Sequence, residues 1–139
     1  MTGNDFMAWV LRSPFHGMLS DGMMLLTVRG RRTGRLFTTP VGYYREGDSL
    51  WVITSRDRIW WRNLQGGADV QLLLKRKLVN ARAETELDDS AVEARMYEYL
   101  RRVPMAAKSL GIRIENGNAN PEDIARTANE RLFVRIALT

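Results

Sequence analysis

The chain has 139 residues, 45% of them hydrophobic and 27% charged, a balance that predicts one soluble globular domain over 1–139. It has no cysteine, which excludes disulfides, thiolate catalysis and cysteine metal sites, and no apolar run is long enough to span a membrane. The net charge of +5 is uneven: residues 1–83 carry 13 Lys/Arg against 6 Asp/Glu, and residues 84–139 carry 8 against 10. The basic front half would attract nucleic acid, an anionic membrane surface or a small anionic cofactor, and charge alone does not choose among them.

The first part of the chain predicts a short helix followed by antiparallel strands. Residues 4–12 place apolar side chains at helical spacing, and Pro14 ends that helix. Apolar and β-branched runs predict three strands, at 23–29, 36–44 and 50–54. The N-terminus lacks a secretory signal, so a cytoplasmic location is expected.

The middle of the chain predicts helical turns and a hairpin. Residues 59–64 break the strand alternation and predict one or two helical turns, which two glycines end. Residues 70–74 and 78–86 predict a hairpin across the basic segment 75–77, and the second of these strands alternates as a half-buried strand does.

The last part predicts two helices and a closing strand. A capping box at 90–93 begins a helix that Pro104 ends, and Asn-Pro at 120–121 begins another. Residues 132–138 alternate as a final strand. Because the connections are short, the strands should pair antiparallel, which predicts a mainly β (α+β) chain. We expect a closed or split β-barrel of about six antiparallel strands with peripheral helices.

The stretch 27–40 is the most informative of the chain. Four arginines surround a loop with two glycines: Arg29, Arg31, Arg32 and Arg35, with Gly30 and Gly34. Glycine permits close backbone approach, and guanidinium groups match the oxygens of phosphate or carboxylate. The stretch therefore indicates an anion site between two strands, with a solvated hairpin tip as the alternative.

Classical catalytic groups are sparse. His16 is the only histidine, no cluster has metal-ligand spacing, and neither an NTPase phosphate loop nor a strand-to-helix GxGxxG occurs. Hydride-transfer enzymes fit this pattern, because their cofactor carries the chemistry. Hydroxyl groups that would orient or protonate a substrate, unless they are ordinary strand residues, are Thr38, Thr39, Tyr43, Tyr44 and Ser55. Arginines beside two adjacent tryptophans leave nucleic-acid binding open, but no nucleic-acid motif accompanies them.

Three segments resemble the deazaflavin-dependent nitroreductase family, whose members are small split β-barrel proteins related to FMN-binding pyridoxamine-phosphate-oxidase-like domains. The family pattern is Gly-Arg-Lys-Ser-Gly-x-Pro-Arg-x-x-Pro-Leu, then Ala-Ser-Lys, then Trp-x-x-Asn-Leu. The matching segments lie at 30–41, 53–56 and 60–64. The resemblance covers about residues 23–86, and its motifs are specific in combination.

The resemblance implies a deazaflavin coenzyme of the F-420 type, with FMN as the alternative cofactor and no metal. It assigns the coenzyme phosphate and acidic tail to Arg31, Arg32, Thr33 and Gly34. It places the flavin-like ring along Thr39, Pro40 and Val41. Ser55 and Arg56 would approach the cofactor or substrate, and Trp60 and Asn63 would fix the short helix beneath the site. The expected catalytic residues are Tyr43, which would line the substrate pocket, and Ser55.

Such a protein would pass a hydride from reduced coenzyme to an activated small molecule, such as a quinone, an enone or a nitro compound. Two departures matter: Leu36 and Phe37 stand where the family has Pro-Arg, and the segment 56–59 is short where the family has a Gly-Gly loop. They leave an FMN-, haem- or lipid-binding split-barrel protein as the alternative. A peripheral membrane contact and a homodimer are also left open, whereas no specific nucleic-acid partner is expected.

Overall fold

The computed structural model describes residues 22–138, in which a curled seven-stranded antiparallel sheet is accompanied by three α-helices. The helix expected at 4–12, and His16, lie outside the described residues. In chain order the elements are β1 (Met23–Arg29), β2 (Leu36–Gly42), β3 (Tyr44–Glu46), β4 (Ser49–Ser55), a 3-10 helix (Trp60–Leu64), β5 (Ala68–Leu74), β6 (Lys77–Glu86), α1 (Asp89–Arg102), α2 (Ala106–Leu110), β7 (Ile114–Glu115), β8 (Asn118–Ala119), α3 (Pro121–Glu130) and β9 (Arg131–Leu138). Strands β7 and β8 form a separate small hairpin.

The large sheet closes on itself because its two edge strands are consecutive in the chain. The strand order is β2-β1-β5-β6-β9-β4-β3, and Tyr43 alone separates β2 from β3. The expected strand 36–44 is therefore two strands on opposite edges of the sheet. Tyr43 joins the two edge strands, and β2 contacts β4, so the sheet must curl into a barrel. The barrel is closed at the Tyr43 end and split toward the end that carries the β1–β2 loop. The split β-barrel prediction is confirmed.

The barrel interior is apolar, and the 3-10 helix packs against it at the end where the sheet is split. Alternate residues of β9, namely Leu132, Val134 and Ile136, face inward and are fully buried, as the alternation of the sequence predicts. Trp60 and Trp61 of the 3-10 helix are both buried in the same core, each only 7% exposed. Both tryptophans are therefore packing residues.

The helices cover the outer face of β3, β4 and β9. Helix α1 buries Val92, Met96 and Leu100 against Trp51 and Phe133 of the sheet, as its apolar face predicts. Its N-terminal cap differs from the expected capping box, since Asp88 accepts the hydrogen bond from the Ala91 backbone N–H at 3.1 Å. No helix within residues 22–138 has the length and apolar character needed to cross a membrane.

The turn between β5 and β6 contains two residues in the left-handed region. Lys75 and Arg76 have φ values of 49° and 68°, and β6 already begins at Lys77. A two-residue hairpin with two positive φ angles is a type I′ turn, for which Asn-Gly is the preferred sequence. Side chains other than glycine raise the energy of each such position by about 1 kcal/mol.

Candidate functional site

Two strand edges without partners face each other across the split in the barrel. Strand β2 pairs only with β1, and β4 pairs with β3 only over Ser49–Trp51, so the edge of β4 beyond Trp51 has no strand partner within residues 22–138. The two edges meet at Tyr43, where β2 continues into β3. The result is a wedge with Tyr43 at its apex and the residues 29–35, hereafter the basic loop, at its open end.

The 3-10 helix positions the basic loop. The Asn63 side-chain oxygen accepts a hydrogen bond from the Arg31 backbone N–H at 3.0 Å, and its amide nitrogen donates to the Trp60 carbonyl at 3.2 Å. The Arg31 guanidinium donates to the Gln65 carbonyl. Both polar atoms of Asn63 thus bond to protein groups, one within the short helix that the resemblance assigns to it and one to the basic loop.

Six arginines around the open end have no carboxylate partner within residues 22–138, and we call them the arginine rim: Arg29, Arg31, Arg32, Arg35, Arg58 and Arg62. Arg29 donates to the Gly34 carbonyl at 3.0 Å, and Arg62 stacks on the Trp61 ring at 5.6 Å. The guanidinium groups of Arg32, Arg35 and Arg58 donate to no residue of the described chain. The rim is therefore a concentration of positive charge without internal compensation.

Glycine is favoured at two positions of the basic loop for different reasons. Gly34 has φ +69° with open space around it, so the backbone conformation is what requires glycine. Gly30 has an ordinary φ, but an added Cβ would lie 3.0 Å from the Thr33 hydroxyl oxygen, which accepts from the Arg35 backbone N–H. The loop thus forms a tight turn, with backbone bonds between Gly30 and Arg35 and between Gly34 and Gly30.

Strand alternation determines which residues of β2 face the wedge from the barrel interior. Phe37, Thr39 and Val41 pair with the inward residues Val28, Leu26 and Met24. Phe37 is 51% exposed because it lies at the open end. The sequence interpretation treated Phe37 only as a lost arginine, whereas its pairing with Val28 identifies an exposed aromatic surface in the wedge.

Ser55 lies on the other face of its strand. On β4, Leu50, Val52 and Thr54 pair with the inward row of β9, so Thr54 shares the inner face with Thr39. Ser55 pairs with Arg131 and lines a cleft of about 380 Å³ with Asp57 and Glu130. The β4 hydroxyl on the inner face is therefore that of Thr54, whereas the predicted residue Ser55 lies on the outer face, and its catalytic role stays a prediction.

Arg56 is bonded to the protein on the outer side of the barrel. Its Nε donates to the Arg131 carbonyl at 2.8 Å, and one terminal nitrogen donates to the carbonyls of Leu87 and Ala128 at 3.0 and 2.9 Å. The same nitrogen lies 3.1 Å from the Asp89 carboxylate. The guanidinium therefore joins the end of β4 to β9, α1 and α3, and the contact of Arg56 with cofactor or substrate stays a prediction.

Tyr43 and Ser55, the two predicted catalytic residues, do not lie together. Tyr44 pairs with Trp51, and Ser55 is four residues further along β4, about 13 Å away at roughly 3.3 Å per residue. Tyr43 lines a cleft of about 330 Å³ at the closed end of the split, with Arg45, Leu74 and Lys75. The two residues therefore lie toward opposite ends of the wedge.

A larger cavity lies elsewhere, between α1 and the outer face of the sheet, with a volume of about 620 Å³. Both of its arginines are paired with carboxylates: Arg95 stacks on Trp51 at 3.8 Å and forms a 3.0 Å ion pair with Glu46, and Arg102 lies 3.2 Å from Glu98. Arg95 also donates to the Tyr44 hydroxyl, whose pKa is raised chiefly by burial. We therefore place the candidate functional site at the wedge, where the positive charge of the arginine rim has no carboxylate partner among the described residues.

Comparison with protein families gives a match over most of the described sheet. Residues 13–110 match the model of a family described as F420H(2)-dependent quinone reductase. The match includes the basic loop, the 3-10 helix and both strands that border the wedge. No curated protein matches the sequence.

Solved structures share the fold at low sequence identity. A candidate pyridoxamine 5′-phosphate oxidase from Listeria innocua is 13% identical, with a TM-score of 0.55 over 96% of this chain and 93% of that one. The flavocytochrome Anf3 from Azotobacter vinelandii is 12% identical, with a TM-score of 0.56 over 99% of this chain and 64% of that one. A conserved hypothetical protein from Mycobacterium tuberculosis, Rv2991, is 17% identical, with a TM-score of 0.53 over 99% and 81%. These similarities concern the split-barrel fold alone.

Proposed function

The chain belongs to the F420H(2)-dependent quinone reductase family and is a deazaflavin-dependent oxidoreductase, and from this premise we propose that it reduces a quinone-type acceptor in the wedge beside Tyr43. The observation that carries the proposal is the arginine rim at the open end of the split. It supplies uncompensated donors where an extended anionic coenzyme would enter. Enones and nitro compounds are the other acceptors for which a hydride-transfer site of this kind is suited.

The donor set of the wedge fits a coenzyme that carries a phosphate and an acidic tail. We assign those groups to Arg31, Arg32, Thr33 and Gly34, with Arg35 as a further donor. The backbone N–H groups of Gly30, Arg31, Gly34 and Arg35 already donate within the described chain, so the proposed contacts rely chiefly on the guanidinium groups of the rim. Trp60 and Asn63 would support this rim from beneath and contact the coenzyme only through it.

The inner row of β2 would hold the ring system. We assign the ring to Phe37, Thr39, Pro40 and Val41, along a strand whose six steps from Leu36 to Gly42 cover about 20 Å. Pro40 lacks an N–H and suits an edge strand, and the remaining edge groups of β2 are available to a flat polar ring. When bound in reduced form, the deazaflavin supplies a hydride.

At the apex, Tyr43 would orient the acceptor and provide its proton. Reduction of a quinone to a hydroquinone takes up one hydride and one proton, so a donor must lie beside the carbonyl oxygen. The Tyr43 hydroxyl has the chemistry for that role, and Thr54 replaces Ser55 as the hydroxyl expected on the wedge side of β4.

Substitution of the rim tests the proposal. Arg32→Ala with Arg35→Ala removes two guanidinium groups that make no hydrogen bond within residues 22–138, so the fold should be retained. Each charge-assisted bond contributes about 1.5–3 kcal/mol, and loss of even one should raise the coenzyme Kd at least tenfold. Fluorescence titration with the deazaflavin coenzyme measures this change.

The matched control is Arg82→Gln, which removes an exposed arginine of β6 outside the rim. We expect its coenzyme Kd to equal that of the unmodified chain, and quinone-dependent oxidation of reduced coenzyme to continue. An equal Kd in the rim variant, or FMN binding as tight as deazaflavin binding, would contradict the proposed site.

A further inference from the structure

Two adjoining cavities form a groove on the outer face of the sheet, beside α1. The cavity of about 620 Å³ adjoins a second one of about 300 Å³, which is lined by residues of β4, β6 and β9. The two cavities share four lining residues: Glu46, Trp51, Glu86 and Arg95. Both volumes lie within the range of about 300–1,000 Å³ that is usual for small-molecule sites. We call the two cavities together the outer groove.

The floor of the smaller cavity brings opposite charges side by side on neighbouring strands. On the outer face, Glu84 of β6 lies directly opposite Arg135 of β9, and Arg135 lies opposite Trp51 of β4. Side chains in such positions have Cβ atoms about 4.5–5.5 Å apart, which is close enough for an ion pair. Glu84 and Arg135 nevertheless form none, since the Arg135 Nε donates instead to the Ser49 hydroxyl at 3.0 Å. The guanidinium thus leans toward β4 and leaves a gap to the carboxylate on β6.

Several polar groups of this floor have no partner among residues 22–138. The terminal nitrogens of Arg135 donate to no protein group, and the carboxylates of Glu84 and Glu86 form no ion pair. Trp51 is only 7% exposed, and its indole N–H has no acceptor. A buried donor without an acceptor is unfavourable, and so is an unpaired charge that is partly removed from water. The floor therefore has both donors and acceptors that a ligand could satisfy.

Unpaired charges of both signs in one cavity suit a ligand that carries both. A guanidinium recognises a carboxylate through two parallel hydrogen bonds, and a carboxylate accepts hydrogen bonds from an ammonium group. We propose that the outer groove binds a free α-amino acid. Its carboxylate would lie between Arg135 and Trp51, and its ammonium between Glu84 and Glu86. Its side chain would extend past the shared lining residues into the larger cavity.

The balance of charge in the groove favours a zwitterion over a simple ion. In the larger cavity both arginines are paired with carboxylates, so the unpaired charges are those of the floor. An anion alone would face the carboxylates of Glu84 and Glu86. A diamine would leave the Arg135 guanidinium and the indole N–H without acceptors. Only a ligand with both groups satisfies both sides of the floor.

Calorimetric titration of the full chain with each proteinogenic L-amino acid tests the proposal. We expect saturable binding of at least one of them, and weaker binding of glycine, which has no side chain for the larger cavity. The N-acetyl and carboxamide derivatives of the tightest ligand should each bind at least tenfold more weakly, because each lacks one charge-assisted set of hydrogen bonds. Absence of saturable binding at millimolar concentration for every amino acid would overturn the proposal, as would equally tight binding of either derivative or of the diamine putrescine.

Two variants assign the ends of the ligand to the floor. Arg135→Gln should weaken binding of the free amino acid at least tenfold and leave the residual binding of its carboxamide unchanged. Glu86→Gln should weaken the free amino acid and spare the N-acetyl derivative. A structural defect would weaken all of these ligands alike. The controls Arg82→Gln and Asp69→Asn remove an exposed charge of each sign outside the groove and should keep the affinity of the unmodified chain. Equal losses in variants and controls, or for all ligands, would contradict the assignment.

Coenzyme titration distinguishes this inference from the proposed function. The groove lies on the outer face of the sheet and the wedge on its inner face, so both groove variants should keep the coenzyme Kd of the unmodified chain. A chain that binds an amino acid in the groove but no coenzyme would contradict the proposed function and support the groove. A chain that binds coenzyme but no amino acid would overturn the groove alone.

Discussion

At the scale of single residues, Gly34 shows how one backbone angle shapes the basic loop. Its φ of +69° is unfavourable for any other residue, although no atom lies within 4 Å of an added Cβ. Gly47, in the turn between β3 and β4, has φ +61° and equally open space, but it lies outside the wedge. The two glycines therefore differ in location and not in steric environment.

This pair yields a prediction on coenzyme affinity. Gly34→Ala should lower the free energy of unfolding by about 1 kcal/mol and weaken coenzyme binding severalfold, because the strained loop no longer fixes its arginines. Gly47→Ala should lower the free energy of unfolding by the same amount and leave the coenzyme Kd unchanged. Urea denaturation and fluorescence titration measure the two effects, and identical Kd values for both variants would remove the basic loop from the site.

Asp123 is a buried carboxylate that joins α3 to the preceding segment. It accepts hydrogen bonds from the Arg113 side chain and backbone N–H, both at 2.9 Å, and lies 3.5 Å from Arg126. The Arg113 side chain, then its backbone N–H, lower the pKa of this carboxyl from 3.8 to about 2. The folded chain therefore favours the ionised form.

The lowered pKa of Asp123 predicts how stability depends on pH. Because the folded state binds this proton less readily than the unfolded state, the stabilisation is present above about pH 4 and is lost as pH falls toward about 2. Asp123→Asn should flatten that part of the curve of unfolding free energy against pH. Asp69→Asn, which removes an exposed carboxylate, should keep the slope of the unmodified chain; equal flattening in both variants would contradict the assignment.

At the scale of elements, most strands follow from alternation, whereas their ends and partners do not. The 36–44 run reads as one strand, but Tyr43 marks the crossing from one sheet edge to the other, and only pairing with β1 and β4 reveals it. Helix α2 was not predicted, since its five residues are too few to show the periodic spacing of apolar side chains that identifies a helix. The capping box was placed two residues late because Ser90 and Asp88 both suit an N-cap.

The start of α1 gives a prediction that separates these two caps. Asp88→Ala should destabilise the chain by about 1 kcal/mol, since Asp88 accepts from the Ala91 N–H. Ser90→Ala should have little effect, because Ser90 lies inside the helix. Thermal or urea denaturation compares them, and a larger loss for the serine variant would restore the original capping box.

At the scale of the whole molecule, Arg56 connects the barrel to its helical layer. Its partners are carbonyl groups of α3, β9 and the segment before α1, which are distant in the chain. Sequence reasoning located the arginine but not these partners, since contacts across more than 70 residues leave no local pattern. The same limit applies to Asn63 and Arg31, whereas the basic loop itself could be predicted because its glycines and arginines are contiguous.

Removal of this connection should destabilise the whole chain. Arg56→Met leaves buried carbonyl groups without their donor, so the free energy of unfolding should fall by about 2–4 kcal/mol. Arg58→Met, which removes an exposed guanidinium with no partner in residues 22–138, should change it by less than about 0.5 kcal/mol. Chemical denaturation measures both; a small effect of the first variant would show that Arg56 is free for a ligand.

The unpartnered edge of β2 has a consequence for self-association. Such an edge is a template on which the strand of another molecule can add, and continued addition leads to aggregates. Pro40 interrupts the row of N–H donors in the middle of the strand, and Arg35, just before it, repels the same edge of a second copy. Since a ligand in the wedge would cover the remaining groups, the coenzyme that serves the reaction would also keep the barrel monodisperse.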